Sequence, residues 1–455
     1  MATPLFRNSY VCLVVLAAPL FAQPRELSIV YPEDVFPALR PLLEAAAKQS
    51  PELRARRATV DERIGQSMSQ NASRNSSVYM NARVLTGYER RFDVSGSSNS
   101  NNIESGSVST IDGSIWWNKP IFAWGNIERY AEMGDLRVEA AELEYSEAVR
   151  VQLNEVRASF LKWQLAEQQL GILEENVAQA EGIVAAQKQL QEADRVSEQK
   201  VLELEAQLLE AEESRAYQLQ QKFYFRDRLA LLVGDKAMVD AVGVLAFPET
   251  GFSTVASSGA WLGVLESGEA SRPAIERERR YLEVDSTQAE VMDRTQRPTV
   301  DLIAGVVSGQ VDTAQVDDVT VRLTGYVGLQ VRWNIFDGNR SRGERMAALA
   351  RMRAREARLD AAIARVRDEG VRLVSDLSFF QTQIEARKRR SELLARRIEL
   401  ADSPNAEDRI SAKDQLDLRL DYLRAEQRIA AAKASYLMTM AKLAALVFED
   451  PVAGA

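Results

Sequence analysis

Histidine is absent from the 455-residue chain, and cysteine occurs only once, at Cys12. Without an imidazole, the chain cannot build a Ser-His-Asp or Cys-His nucleophile, a His-ligated metal site or a His general base. The chain carries 66 Asp and Glu against 57 Lys and Arg, so its net charge of −9 provides no overall basic surface for nucleic acid. These absences argue against an enzyme and against a nucleic-acid-binding protein, and we expect no cofactor and no metal.

Long apolar runs are also scarce, apart from a short one near the N-terminus. Arg7 precedes an apolar segment, Tyr10–Phe21, and the small residue Ala22 follows it. This arrangement is typical of a secretory signal, so we interpret residues 1–22 as a signal peptide. Cys12 lies inside that segment and is interpreted as part of the apolar run, which leaves the mature chain without disulfides. No later segment is predicted to form a transmembrane helix.

The sequence contains an internal repeat. Residues 50–57 (SPELRARR) resemble residues 272–279 (RPAIERER), 222 positions later. Two further landmarks recur in the same order about 214 positions later. The motif 120–126 (PIFAWGN) resembles 334–339 (NIFDGN), and 194–197 (DRVS) resembles 408–411 (DRIS). The repeat predicts a first unit over 23–250, a linker or equatorial segment over 251–271 and a second unit over 272–455.

Each repeat is predicted to hold a helix, two strands and a hairpin of two long helices. The segment from Ile127 to Ala193 lacks proline and is dominated by Ala, Leu, Glu, Gln and Arg, which favour a helix. A second helix is expected from Ser197 to Val233, where Gly234 supplies a C-terminal stop. The same pair is expected again over 341–400 and 411–447.

Four segments alternate apolar and polar residues, as strands with one apolar and one polar face do. They are Val78–Val84, Ile111–Trp117, Val300–Val306 and Val319–Ile335. Soluble β-sandwiches share this alternation, but export, strand length and tryptophans near the strand ends favour membrane-spanning strands. We expect four aromatic residues at the membrane interface: Trp116, Trp117, Trp124 and Trp333.

The first hairpin is predicted to carry an enlarged loop, because residues 95–109 are Ser, Asn or Gly at 12 of 15 positions. Four strands cannot close a barrel around a lumen, and open strand edges are not tolerated in lipid. Several copies of the chain are therefore expected to contribute strands to one barrel.

The chain resembles the TolC family of outer membrane factors over nearly its whole mature length. The resemblance rests on the helix that begins with Pro51 or Pro273 in each repeat, on the motifs 120–122 and 334–338 at the strand ends, and on the long helical hairpins. The resemblance implies a mainly α fold with membrane β: a homotrimer with four strands per chain in a 12-stranded outer-membrane β-barrel, and long helical hairpins in a periplasmic α-barrel. It implies the outer membrane of a Gram-negative bacterium and a passive exit duct of a tripartite efflux pump or type I secretion system. The implied partners are a periplasmic adaptor (membrane fusion) protein, an inner-membrane transporter and outer-membrane lipid.

The resemblance also implies functional residues at the two helical tips. Asp414 and Asp417 match an acidic element that lines the periplasmic aperture in the family, although two acids on a helix are also common on a solvated face. The two turns would contact the adaptor, although Ser197 and Ser411 could serve only as helix N-caps. Glycine is frequent at these turns in the family, whereas this chain has aspartate. The turn residues are Asp194, Arg195, Val196, Ser197, Asp408, Arg409, Ile410 and Ser411.

Two other classes of function stay open at this stage. A soluble periplasmic coiled-coil adaptor or scaffold would explain the helices but not the strands with two unlike faces. An enzyme with paired carboxylates, as in glycoside hydrolysis, would need a cleft that the repetitive charged helices do not suggest. Within the duct hypothesis, the sequence does not distinguish small-molecule from protein cargo.

Overall fold

The computed structural model describes residues 30–92, 103–248, 261, 263, 272–312, 320–401, 412–447, 450 and 452. The predicted signal peptide and most of the predicted linker lie outside these residues. So do the second turn, Asp408–Ser411, and the tip of the hairpin that follows the first strand.

The described residues include nine α-helices, one 3-10 turn (Ala72–Arg74) and four strands, which follow one another in two similar series. The first series holds α1 (Pro32–Val35), α2 (Leu39–Gln49), α3 (Pro51–Asn71), β1 (Ser77–Phe92), β2 (Ile103–Phe122), α4 (Asn126–Glu192), α5 (Glu198–Val233) and α6 (Lys236–Asp240). The second holds α7 (Pro273–Asp293), β3 (Thr299–Asp312), β4 (Thr320–Arg332), α8 (Arg340–Ala401) and α9 (Ala412–Val447). All four long helices lie within a residue or two of the predicted bounds.

The backbone repeats along with the sequence where each long helix begins. Trp124 and Gly125 have φ angles of 58° and 79° just before α4, and Gly338 and Asn339 have φ angles of 66° and 71° just before α8. The two pairs stand 214 positions apart. Two consecutive left-handed residues are unusual, because only Gly and Asn adopt this conformation readily. The shared turn supports a common origin for the two halves.

The four strands form one antiparallel sheet in the order β1-β2-β3-β4. Met80 pairs with Ile115, Ile115 with Val306, and Val306 with Gly325. The predicted loop at 95–109 is wrong for its second part, since β2 already begins at Ile103, opposite Phe92. Continuous pairing with β1 satisfies the backbone there, which outweighs a Ser- and Gly-rich composition.

The helices lie side by side in an order that follows the order of the strands in the sheet. Near the sheet, α3 packs against α4, α4 against α7, and α7 against α8. Away from the sheet, α5 packs against α4, α4 against α9, and α9 against α8. The helical part of the chain is therefore a wall one layer thick, bounded on one side by α3 and α5 and on the other by α8.

The largest buried cluster lies midway along the helices. It joins α2, the middle of α4, the end of α5 and the end of α9, and it includes the fully buried Phe160 and Trp261. By length and composition alone, the segment Asp417–Val447 is apolar and long enough to cross a membrane. Because 78% of its most apolar window is buried, α9 is a core helix of this cluster.

Arg157 of α4 forms a buried ion triad in the same region. Its guanidinium donates to Glu33 at 2.6 and 3.0 Å and to Asp450 at 2.5 and 3.0 Å. The Arg157 side chain is 1% exposed, as is that of Asp450. Burial alone would lower the pKa of Arg157, but hydrogen bonds to Asp450 and Glu33 raise it above its ordinary value. The triad fastens both ends of the described chain to the middle of α4.

Candidate functional site

One face of the sheet is apolar and exposed. The strand register aligns Val78, Trp117, Ala304 and Val327 in one row across the sheet, next to the row that contains Met80 and Ile115. The exposed large apolar side chains of this face are Val78, Met80, Val84, Ile115, Val306, Leu323, Val327, Leu329 and Val331. A soluble monomer rarely leaves so large a contiguous apolar patch in water. This face therefore needs a lipid or protein environment.

The opposite face is polar, and its cross-strand contacts include an ion pair and a ring stack. The Arg83 guanidinium lies 2.6 Å from the Asp112 carboxylate. The rings of Trp116 and Tyr326 stack with centroids 5.9 Å apart and planes 9° apart, on either side of Gly305. A Cβ atom at Gly305 would lie only 2.6 Å from Cε3 of Trp116, so the stack requires glycine at this position. The alternation of the strands in the sequence gave no sign of this stack.

Both margins of the sheet are open in the single chain. Within the described strands, β1 pairs only with β2 and β4 only with β3, which leaves edges of 16 and 13 residues. Edges of this length expose a row of unpaired backbone N–H and C=O groups. In this sheet the two edge strands, β1 and β4, run in opposite directions. The β4 edge of one copy can therefore pair with the β1 edge of another copy and continue the antiparallel order.

The four predicted interface tryptophans occupy three different positions. Trp117 lies on the apolar face and its neighbour Trp116 on the polar face, so their rings lie on opposite sides of the sheet. Trp124 and Trp333 follow the ends of β2 and β4, and their indole N–H groups donate to the carbonyls of Pro298 and Gln296 at 2.8 and 3.1 Å. These two bonds anchor the loop that leads into β3. Contact with a membrane interface stays a prediction for all four.

The first predicted adaptor turn is an exposed helix tip. Asp194 has a φ of 57°, and its N–H and that of Arg195 donate to the carbonyls of Gln191 and Leu190, both at 2.9 Å. This pattern is a Schellman motif, in which glycine usually fills the left-handed position that Asp194 occupies here. Ser197 precedes α5 at its N-cap, but its hydroxyl makes no capping bond. Asp194, Arg195 and Ser197 are exposed and Val196 is half-buried.

The other tip is described only in part. Asp408, Arg409, Ile410 and Ser411 lie outside the described residues. Asp414 and Asp417 both belong to α9, one turn apart, and the Asp417 side chain is exposed. The neighbouring Leu418 is buried against α8, in a small cluster with Leu394, Ala401 and Ala425. The aperture assignment for Asp414 and Asp417 stays a prediction.

Comparison with solved structures identifies close matches in fold. The outer-membrane channel CmeC of Campylobacter jejuni has a TM-score of 0.77 at 15% identity, with 95% of this chain and 91% of that chain covered. The outer-membrane channel OprN has a TM-score of 0.75 at 19% identity, with 94% and 93% covered. The outer-membrane protein VceC of Vibrio cholerae has a TM-score of 0.73 at 16% identity, with 92% and 99% covered.

No protein-family model matches the sequence. No curated protein sequence matches it either. The structural neighbours match nearly from end to end, which confirms the fold of the single chain expected from the resemblance, while the homotrimer stays a prediction. The chain therefore has the TolC-like fold of outer-membrane channels, with a β-sheet segment joined to long helical hairpins.

Proposed function

We propose that this protein is the outer-membrane exit duct of a tripartite export system of a Gram-negative bacterium, acting as a homotrimer. The observation that carries the proposal is the four-stranded sheet with one exposed apolar face and two open edges. In lipid, such edges must be paired, and the apolar face must be turned outward. Three copies would supply twelve strands, with the polar face and its Arg83–Asp112 pair lining the lumen.

The helices extend this barrel as a tunnel into the periplasm. At about 1.5 Å per residue, the 67 residues of α4 span roughly 100 Å. That length lets one chain pass from the outer membrane far toward an inner-membrane partner. All three structural neighbours named above are outer-membrane proteins, and OprN and CmeC are described as channels. These likenesses support the outer-membrane duct and disfavour the soluble adaptor, which would not need the sheet.

The hairpin tips supply the contacts and the closure of the duct in this proposal. The exposed turn Asp194–Ser197, with Asp408–Ser411, would meet a periplasmic adaptor protein. Asp414 and Asp417 would form two stacked rings of three carboxylates at the periplasmic aperture, where they attract cations. The chain performs no covalent chemistry and needs no cofactor in this role. Energy and cargo choice, whether small molecule or secreted protein, come from an inner-membrane transporter.

The first experiment is membrane fractionation of the full chain, followed by detergent extraction and mass determination. The proposal predicts a protein that requires detergent for extraction and has the mass of three chains. A protein that high salt or alkaline buffer releases as a monomer would contradict the barrel, because the exposed apolar face would then have no lipid to cover it.

The aperture is tested separately by single-channel recording in planar bilayers. We expect Asp414→Ala/Asp417→Ala to lose cation selectivity and to conduct more. Glu392→Ala/Glu399→Ala is the matched control, because it removes two exposed carboxylates from α8 near the same tip. Unchanged selectivity in the first variant, or an equal change in both, would refute the assignment of Asp414 and Asp417 while leaving the duct intact.

A further inference from the structure

The margin helix α5 has a second apolar stripe in addition to the one that packs on α4. Val201, Leu204, Leu229 and Val233 are buried against the protein. The second stripe recurs at steps of seven or eight residues and is 53–73% exposed: Leu202, Leu209, Tyr217, Tyr224 and Leu231. Sustained spacing near seven is the signature of a helix that packs against a further helix. Within the described residues, no helix of the same chain covers it.

The opposite margin of the wall, α8, has a stripe of the same kind. Phe379, Leu393 and Leu400 are 55–66% exposed, and Ala386, also exposed, completes the spacing of seven. The other side of α8 buries Leu377, Ile384 and Leu394 within the protein. The two margins of one chain thus end in similar apolar stripes that face away from each other along the wall.

The internal repeat identifies what covers these stripes. Helix α5 corresponds to α9 and helix α8 to α4 at the offset of 214. Inside the chain, α4 packs against α9. The α9 counterparts of Leu209, Tyr224 and Leu231 are Leu423, Met438 and Ala445, none of which is exposed. By these correspondences, the α4–α9 contact inside the chain predicts a contact of the same kind between α8 and α5. Because α8 and α5 lie at opposite margins of one chain, this contact can form only between α8 of one copy and α5 of the next.

The charges beside the stripes have opposite signs. Residues 198–213 of α5 hold six acids and one lysine, whereas residues 387–397 of α8 hold six basic residues and one glutamate. Glu210 and Glu213, like Arg389, Arg390 and Arg397, are exposed, and they make no ion pair within the part of the chain that the structure describes.

The two charged segments lie at the same height along the wall. Arg389 corresponds to Glu175 of α4 at the offset of 214. Glu175 lies between Gln169 and Lys188, whose side chains bond Gln218 and Glu205 of α5. Glu175 is therefore level with the α5 segment between Glu205 and Gln218. That segment contains the three acids Glu210, Glu212 and Glu213.

We infer that neighbouring copies join in the helical part through an opposite-charge coiled-coil joint, in which the acidic α5 margin of one copy packs against the basic α8 margin of the next. The inference rests on the proposed homo-oligomer and specifies its subunit joint. Contacts of α5 with α5, or of α8 with α8, would set like charges against each other. The charges therefore favour the head-to-tail contact that closes a ring over a two-fold dimer.

Charge reversal of the full-length protein in detergent tests the joint. Arg389→Glu/Arg390→Glu/Arg397→Glu should raise the monomer fraction roughly tenfold or more at low salt, because like charges then oppose each other across the joint. Glu210→Arg/Glu212→Arg/Glu213→Arg should do the same, and the protein carrying both sets should regain the wild-type oligomer. Mass determination by light scattering reads the result. Failure of the combined variant to recover, while each set alone dissociates the protein, would overturn the pairing.

Cysteine crosslinking gives a second measurement that does not depend on stability. Leu209→Cys and Leu393→Cys, combined in one chain, should form a disulfide ladder of linked copies under oxidation. Each single variant, which can link only α5 to α5 or α8 to α8, should not. Absence of the ladder in a detergent-extracted trimer would refute the joint but keep the duct. A wild-type protein that is monomeric and needs no detergent would refute the duct itself.

Discussion

Removal of the buried guanidinium of Arg157 is the most discriminating test of how the middle of the wall is held together. Arg157→Met keeps the length of the side chain but leaves the carboxylates of Glu33 and Asp450 without a partner in a site where they are 6% and 1% exposed. Breaking a buried pair in this way costs about 3–5 kcal/mol, because an uncompensated charge stays in a poorly solvated place. At about 2.1 cal/mol/K of unfolding entropy per residue, a chain of this size should lose roughly 3–5 °C of Tm.

The chain contains a matched control nearby. Arg228 lies 3.0 Å from Glu155, two residues before Arg157 on α4, but these side chains are 44% and 48% exposed. Arg228→Met should cost about 0.2–1 kcal/mol, since water already screens such a pair. Thermal unfolding of the detergent-solubilised protein, followed by its helical circular dichroism signal, compares the two variants. Equal losses in both would refute the argument that burial makes the Arg157 triad strong.

A third variant separates charge from packing. Glu33→Gln/Arg157→Met/Asp450→Asn leaves no ion in the site and retains an acceptor oxygen at residue 450, so the Val452 N–H that now donates to Asp450 at 3.0 Å can keep a partner. Because no unpaired charge remains, we expect it to recover most of the stability that Arg157→Met loses. If it is as unstable as Arg157→Met, the loss comes from packing and hydrogen-bond geometry.

Three further predictions follow from single positions. Gly305→Ala should lower the free energy of unfolding by about 1–3 kcal/mol and disrupt the Trp116 stack. Gly113→Ala is the control and should fold normally, because an added Cβ there meets nothing within 4 Å. The yield of folded protein and near-ultraviolet circular dichroism measure both effects. Asp194→Gly should stabilise the first hairpin by about 1 kcal/mol, because glycine adopts the left-handed conformation without strain, and slower proteolysis at that tip would show it. Burial, together with the nearby Asp450 carboxylate, raises the pKa of Tyr31 to about 12. The stability that neutral Tyr31 contributes is therefore complete below pH 10 and is lost as the pH rises from 10 through 12. This loss of stability amounts to at most about 2–3 kcal/mol, and Tyr31→Phe should remove it.

The elements that the sequence predicts well are those that local pattern determines. Alternation over residues 319–335 and the proline-free stretch from Ile127 to Ala193 reflect the two periods of strand and helix, so both elements appear in the fold near their predicted bounds. The prediction fails at residues 103–109, because composition describes the local preference of the chain and not the pairing partner. Phe92 and its neighbours on β1 hold that segment in the sheet.

Contacts between distant residues are beyond a pattern argument. Glu33, Arg157 and Asp450 stand 124 and 293 positions apart, and each looks like an ordinary surface charge in the sequence. One clue was available, since Arg157 stands four residues after Leu153 and three and four residues before Phe160 and Leu161, which places it on their apolar face of α4. A lone charge at a core position of a helix predicts a buried partner, because an isolated buried ion is too costly to persist.

The asymmetry between the two halves carries information that the repeat alone does not. A duplicated chain with identical halves could pair its hairpins in any order, and both margins would accept either neighbour. Here α4 and α5 together hold 20 acids and 11 basic residues, while α8 and α9 together hold 13 acids and 22 basic residues. Alternating hairpins of opposite sign attract their neighbours and repel their own kind, so divergence of charge after duplication gives the ring a fixed order of parts. The same reasoning predicts that high salt weakens the joint between copies more than the buried core inside each copy, because salt screens exposed charges and leaves apolar packing in place.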